Sequence, residues 1–127
     1  MFLISFSKIQ PDQSSQPRIG LLIPDAREVV ENFYEVGRFI KDIHDNLESA
    51  IAVIAVQKRD QFSDNPIGGV RGLEKPRLAV SLKKGGTAKI LKAKNWKSSN
   101  VNPNDLVRTF KLAQGWKFVP QSSWEKE

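Results

Sequence analysis

Six consecutive apolar residues, Ile51-Ala52-Val53-Ile54-Ala55-Val56, run straight into Gln57 and Lys58. A run this short and rich in β-branched side chains is a strand, and its lack of alternation predicts burial on both faces, as in a parallel sheet. Such a strand needs neighbours and a covering helix, and the residues before it supply both. Ile19 to Ile23 reads as a short buried strand that Pro24 stops. Asp25 is placed to cap a helix, with Glu28 three residues later as in a capping box. The helix is expected from about Ala26 to Leu47. Val29, Phe33, Val36, Ile40, Ile43 and Leu47 make one apolar stripe at helical spacing, and acids crowd the outer face. Strand, helix and strand together predict one right-handed βαβ unit.

After Lys58 the texture changes. Residues 59–72 are polar and glycine-bearing and predict a loop. Leu78 to Leu82 alternates as a strand, Lys83-Lys84-Gly85-Gly86 is a turn, and Thr87 to Lys94 returns as a second strand. Residues 97–105 are another polar loop. Leu106 to Leu112 and Trp116 to Val119 form a second strand pair around Gly115. Residues 2–6 read as a further strand, and residues 10–18 as a polar, proline-bracketed loop. The expected fold class is α/β, a parallel βαβ core followed by an antiparallel C-terminal β-meander. All 127 residues fit one domain. Within it, residues 1–24 form an N-terminal segment, residues 25–58 the helix and core strand, and residues 59–127 the loop and basic hairpins.

Charge is unevenly spread along the chain. Residues 1–50 carry five basic and eight acidic side chains; residues 51–127 carry fifteen and six. Six lysines and no acid lie between Lys83 and Lys97. Such a stretch suits a phosphate or single-stranded nucleic-acid surface, or else it protects an edge strand from aggregation. The absence of cysteine excludes disulfides and cysteine-held metal and fits a reducing compartment, so a cytoplasmic location is expected. No apolar run approaches the ~20 residues of a membrane span, and Met1 to Phe6 is too short for a signal-peptide core. His44 stands alone on the flank of the helix stripe, and no metal-ligand cluster or Ser-His-Asp set occurs.

The order of features from about Asn32 to Trp124 is more specific. The core strand ends in Gln57. Then come Gly68-Gly69, Leu73-Glu74-Lys75-Pro76-Arg77-Leu78, Lys92-Ala93-Lys94-Asn95-Trp96, and Asn102-Pro103-Asn104 leading to Phe110-Lys111-Leu112. This order resembles the C-terminal half of RecA-like P-loop ATPases of phage and plasmid replication, the hexameric DNA helicase type. The fold this implies is a partial RecA-like one. No Gly-x-x-x-x-Gly-Lys-Ser/Thr loop is present, so the element that grips the triphosphate is missing. ATP and Mg²⁺ are therefore expected only in the context of a complete parent protein, with no cofactor for this chain alone.

The resemblance makes Gln57 a sensor of the γ-phosphate or of attacking water. Asp25 and Glu28 become candidates for the metal-holding and water-activating acids, or else simple helix caps. Arg71, just after the glycine pair, is a candidate finger reaching a neighbouring subunit's nucleotide, with Lys75 and Arg77 as alternatives. Lys92 and Lys94 are candidates for sensing that nucleotide in trans. Lys83, Lys84, Lys89 and Lys97, with Trp96 as a stacking platform, make the nucleic-acid surface; Trp96 equally suits closing the end of the sheet. Partners expected are single-stranded DNA and further copies of the chain or intact ATPase subunits, with no membrane. The rival readings are a stand-alone basic module for single-stranded nucleic acid and an adaptor docking onto an ATPase ring. Half a RecA-like sheet would also leave the Ile51–Val56 strand with an open edge, to be covered by residues 2–6 or by another chain.

Overall fold

Alternation, invisible in the apolar run itself, emerges once the core strand has neighbours. In the computed structural model this strand spans Ala50–Val56, and Ala52, Ile54 and Val56 are buried while Ile51, Val53 and Ala55 between them are half-buried. The structure describes residues 2–7, 18–22, 35–47, 50–58, 63–64, 73–97 and 100–127. In chain order the elements are β1 (Phe2–Ser7), β2 (Arg18–Leu22), α1 (Glu35–Asn46), β3 (Ala50–Val56), β4 (Leu78–Lys83), β5 (Thr87–Ala93), β6 (Leu106–Ala113), β7 (Lys117–Pro120) and β8 (Glu125–Lys126). The first half of the expected helix, with Asp25 and Glu28, lies outside the described residues, as do the Gly68-Gly69 pair and Arg71.

One sheet holds all eight strands, in the order β2-β3-β1-β4-β5-β6-β7, with β8 also on β6. Among the described residues only β2 and β3 pair in parallel, Ile19 opposite Ile51 and Leu21 opposite Val53. The other described strand pairs are antiparallel. The α/β class holds, but the parallel part is a single strand pair rather than a core. The open edge expected on β3 is taken by β1, which runs antiparallel between β3 and β4. That placement joins the βαβ half to the C-terminal hairpins in one continuous sheet.

Helix α1 lies on one face. Val36 and Ile40 bury against Ala52, Ile54 and Val56, flanked by Ile43, Leu47, Leu73 and Leu91. The spacing of Val36, Ile40, Ile43 and Leu47 matches the helical repeat, so a single stripe meets the sheet. Ile40 and Ile54 are fully buried, and each such side chain contributes about 1.5–3 kcal/mol by leaving water. The helix closes with the Asn46 side chain donating to the Asp42 carbonyl at 2.8 Å.

Beyond the core two irregularities set the geometry. Register shifts in the β4–β5 pair, so that Ala79 faces Lys92 and Val80 faces Ile90, leaving Leu91 as the extra residue of a bulge. Leu91 thereby joins the core, and Lys92 follows Ala79 to the same face instead of alternating away. At the outer edge, β7 and β8 act as one interrupted strand along β6. Between them Gln121 donates its N–H to the Thr109 carbonyl at 2.9 Å, and the Ser122 hydroxyl accepts from the Thr109 N–H at 3.0 Å. Strand β8, two residues long and held by Leu106 and Val107, has no cue in the local pattern.

Candidate nucleic-acid interface

Residues that face one another across a sheet share a face. One row of partners runs Val56, Phe2, Ser81, Lys89, Val107 and Glu125. It crosses the sheet at the C-terminal end of β3. Gln57 is the next residue and is exposed there. Lys58 follows, its side chain only 8% exposed.

The lysines around this row converge on a carboxylate from a distant part of the chain. Asp64 lies 3.3 Å from the Lys83 ammonium and 3.8 Å from those of Lys58 and Lys89. The hydroxyl of Ser81, fully buried, donates to Asp64 Oδ1 at 3.3 Å. Lys89 also pairs with Glu127 at 2.5 Å. That hydrogen bond, with the carboxylate's charge behind it, raises the Lys89 pKa and lowers that of Glu127. The stretch that contains no acid in sequence therefore has two beside it in space.

The remaining cations of the stretch sit at the other end of the hairpin. Seven strand residues separate the β4–β5 turn from Lys94, about 20 Å at the ~3.3 Å rise of a strand residue. The Lys92 ammonium donates to the carbonyls of Leu73 and Glu74, and Lys94 to the Glu74 carbonyl at 3.0 Å. Burial, and then the neighbouring Lys94, push the Lys92 pKa down. These two side chains thus hold the 73–76 segment on the sheet. Lys84 in the turn and Lys97 are exposed. Trp96 is 41% exposed and not part of the buried core. Arg77, also exposed, is tied to this group through its carbonyl, which accepts from the Lys94 N–H at 2.9 Å.

The opposite face of the hairpins carries a cleft of about 310 Å³ lined by Val80, Leu82, Ala88, Arg108, Phe110, Phe118, Pro120 and Trp124. Phe110 and Phe118 stack with centroids 4.1 Å apart. Arg108 donates its Nε–H to the Ser122 carbonyl at 2.7 Å and lies 5.8 Å from the Trp124 ring centroid, a cation–π distance.

Family models, characterised proteins and solved structures yield no match to this chain. The site is therefore defined by its geometry. Of the residues singled out in sequence, Gln57, Lys83, Lys84 and Lys89 come to one end of the sheet, and Lys92, Lys94, Lys97 and Trp96 to the other. Sequence reading missed Lys58, Asp64, Ser81, Glu127 and the Arg108–Trp124 cleft. Two of these had a signal: Lys58 ends the same core strand as Gln57, and Ser81 is a lone hydroxyl in an apolar strand. Among the described residues no three His, Cys, Asp or Glu side chains gather as a metal site, and no helix is long and apolar enough to cross a membrane.

Proposed function

We propose that this chain is the C-terminal portion of a RecA-like replicative ATPase or DNA helicase, that its residues contact single-stranded nucleic acid, and that by itself it turns over no ATP. The observation that carries this reading is the convergence of Lys58, Lys83 and Lys89 around Asp64, beyond the C-terminal end of β3 where Gln57 is exposed. Cations gathered at one end of the sheet suit a phosphate, and Gln57 leaves the same strand end exposed, with a neutral amide that adds no negative charge. Exposed Trp96, with Lys94, Lys97 and Arg77 around it, offers a second contact in which a base stacks on the ring and cations meet the backbone.

The residues do not fit a complete nucleotide site. The chain has no phosphate loop, and no catalytic step is assigned to ATP or Mg²⁺ here. Those cofactors belong to a complete parent protein. A second reading, a stand-alone nucleic-acid-binding module, is favoured by β1. It occupies the edge of β3 that a half-sheet would leave open, so the described sheet needs no other chain at that position.

Two measurements test the proposal. A turnover assay with Mg²⁺-ATP and single-stranded DNA is expected to show no hydrolysis; DNA-stimulated hydrolysis lost on Gln57→Ala refutes the inactive reading. Titration of a labelled oligonucleotide at several salt concentrations is expected to show a log–log slope of about −0.7 per phosphate neutralised. Absence of binding, or binding insensitive to salt, refutes the nucleic-acid contact. A monomer with one cooperative melt selects the stand-alone module over the fragment.

A further inference from the structure

Three ammonium groups and a buried hydroxyl surround one carboxylate beyond the C-terminal end of β3, none of them closer than 3.3 Å. Asp64 Oδ1 is shared by Ser81, Lys58 and Lys83, while Oδ2 faces Lys89. The three ion-pair distances, 3.3 to 3.8 Å, all exceed the ~2.7–2.9 Å of a well-made charge-assisted hydrogen bond. The cations, by contrast, are fixed. Lys83 and Lys89 stand on adjacent strands, Lys58 follows a third, and the Lys58 and Lys89 side chains are 8% and 16% exposed. Asp64 belongs to no strand or helix.

We propose that Lys58, Lys83, Lys89 and Ser81 form a binding site for a phosphate group, which Asp64 fills as an internal anion and which a nucleic-acid backbone phosphate takes by displacing it. The inference rests on the nucleic-acid reading above and assigns it a site. A phosphate brings more acceptor oxygens than a carboxylate, spread over a tetrahedron, so donors from three strands and the hydroxyl no longer share one atom. The site's desolvation is already met in the folded state, and the strands hold the donors in place. Displaced, Asp64 keeps its charge in solvent, so the internal anion sets a threshold that a weakly charged ligand does not pass.

The test uses the full chain and an oligothymidylate carrying a fluorescent label. Asp64→Asn removes the competing charge and keeps the side-chain shape. Asp42→Asn, on the exposed face of α1, makes the same change in net charge away from the site. Asp64→Asn is expected to bind about fivefold more tightly than Asp42→Asn, since three part-exposed ion pairs are released. Adding Lys83→Gln and Lys89→Gln should abolish that gain. Equal affinities for the two single variants overturn the site while leaving salt-dependent DNA binding intact. Amide chemical shifts of Ser81, Lys83 and Lys89 in the wild-type chain give a readout that needs no variant, with pyrophosphate, ATP and oligonucleotide added in turn. Shifts with the oligonucleotide at the lowest concentration support the backbone source. Shifts only with pyrophosphate or ATP retain the phosphate site and refute the nucleic-acid reading. No shift with any of the three overturns the site itself.

Discussion

Gly86 joins the two C-terminal hairpins, and replacing it with alanine probes that junction directly. Its φ is +87°, its N–H donates to the Lys83 carbonyl at 3.2 Å, and its carbonyl accepts from the Phe110 N–H at 2.7 Å. A methyl group at this position would collide with the Phe110 carbonyl, a backbone atom in the middle of β6. Gly85 next to it has φ +101° and open space where a methyl would go. Both substitutions incur the strain of an alanine at positive φ, roughly 1–2 kcal/mol. Only Gly86→Ala also pushes β6 away. That loses the Phe110 hydrogen bond, worth about 1 kcal/mol, and loosens the three-residue β5–β6 pairing beside it. The expected losses are about 3 kcal/mol for Gly86→Ala and about 1 kcal/mol for Gly85→Ala. At about 4 °C per kcal/mol for a domain of this size, the melting temperature falls by about 12 °C and about 4 °C. Thermal unfolding followed by near-ultraviolet circular dichroism reads both, because Trp116 and Trp124 lie beyond the junction. Equal losses for the two variants would refute the close approach of the turn to β6.

The core makes a similar contrast: Ile54→Ala, at a fully buried position, should cost about 3–4 kcal/mol in urea unfolding, against about 1 kcal/mol for half-buried Val53→Ala. Similar values would refute the assignment of the helix-covered face. On α1, the hydrogen bond from Lys41 and then that from His44 hold the Asp45 carboxyl down at about 2. Because the folded-state pKa is lowered, the contribution of this carboxylate is complete above its ordinary value of 3.8 and is lost as pH falls towards about 2. Carboxyl NMR titration should show that value and its return towards 3.8 in Lys41→Ala; an ordinary value in the wild type refutes the pair. Ser122→Ala should cost about 1 kcal/mol by leaving the Thr109 N–H without its acceptor. A loss within error refutes the interrupted strand along β6.

Local pattern determined the elements. The apolar run at 51–56 could only be a buried strand, the stripe from Val36 to Leu47 only a core-facing helix, and the double glycine at 85–86 only a turn. These follow from side-chain period and backbone freedom, which act over a few residues. The arrangement of those elements came from contacts between distant segments. Residues 2–7, one of two covers that the sequence offered for the open edge of the 51–56 strand, insert antiparallel between β3 and β4. The bulge at Leu91 turns Lys92 to the helix face, against the alternation that the sequence shows. The lysines between 83 and 97 look like one uncompensated patch because a sequence displays only neighbours. In the fold they divide between two ends of a hairpin, and acids from positions 64 and 127 reach one of those groups. Charge acts through space over a few ångströms, whereas sequence records distance along the chain, and the pairing of strands far apart in the chain converts one into the other.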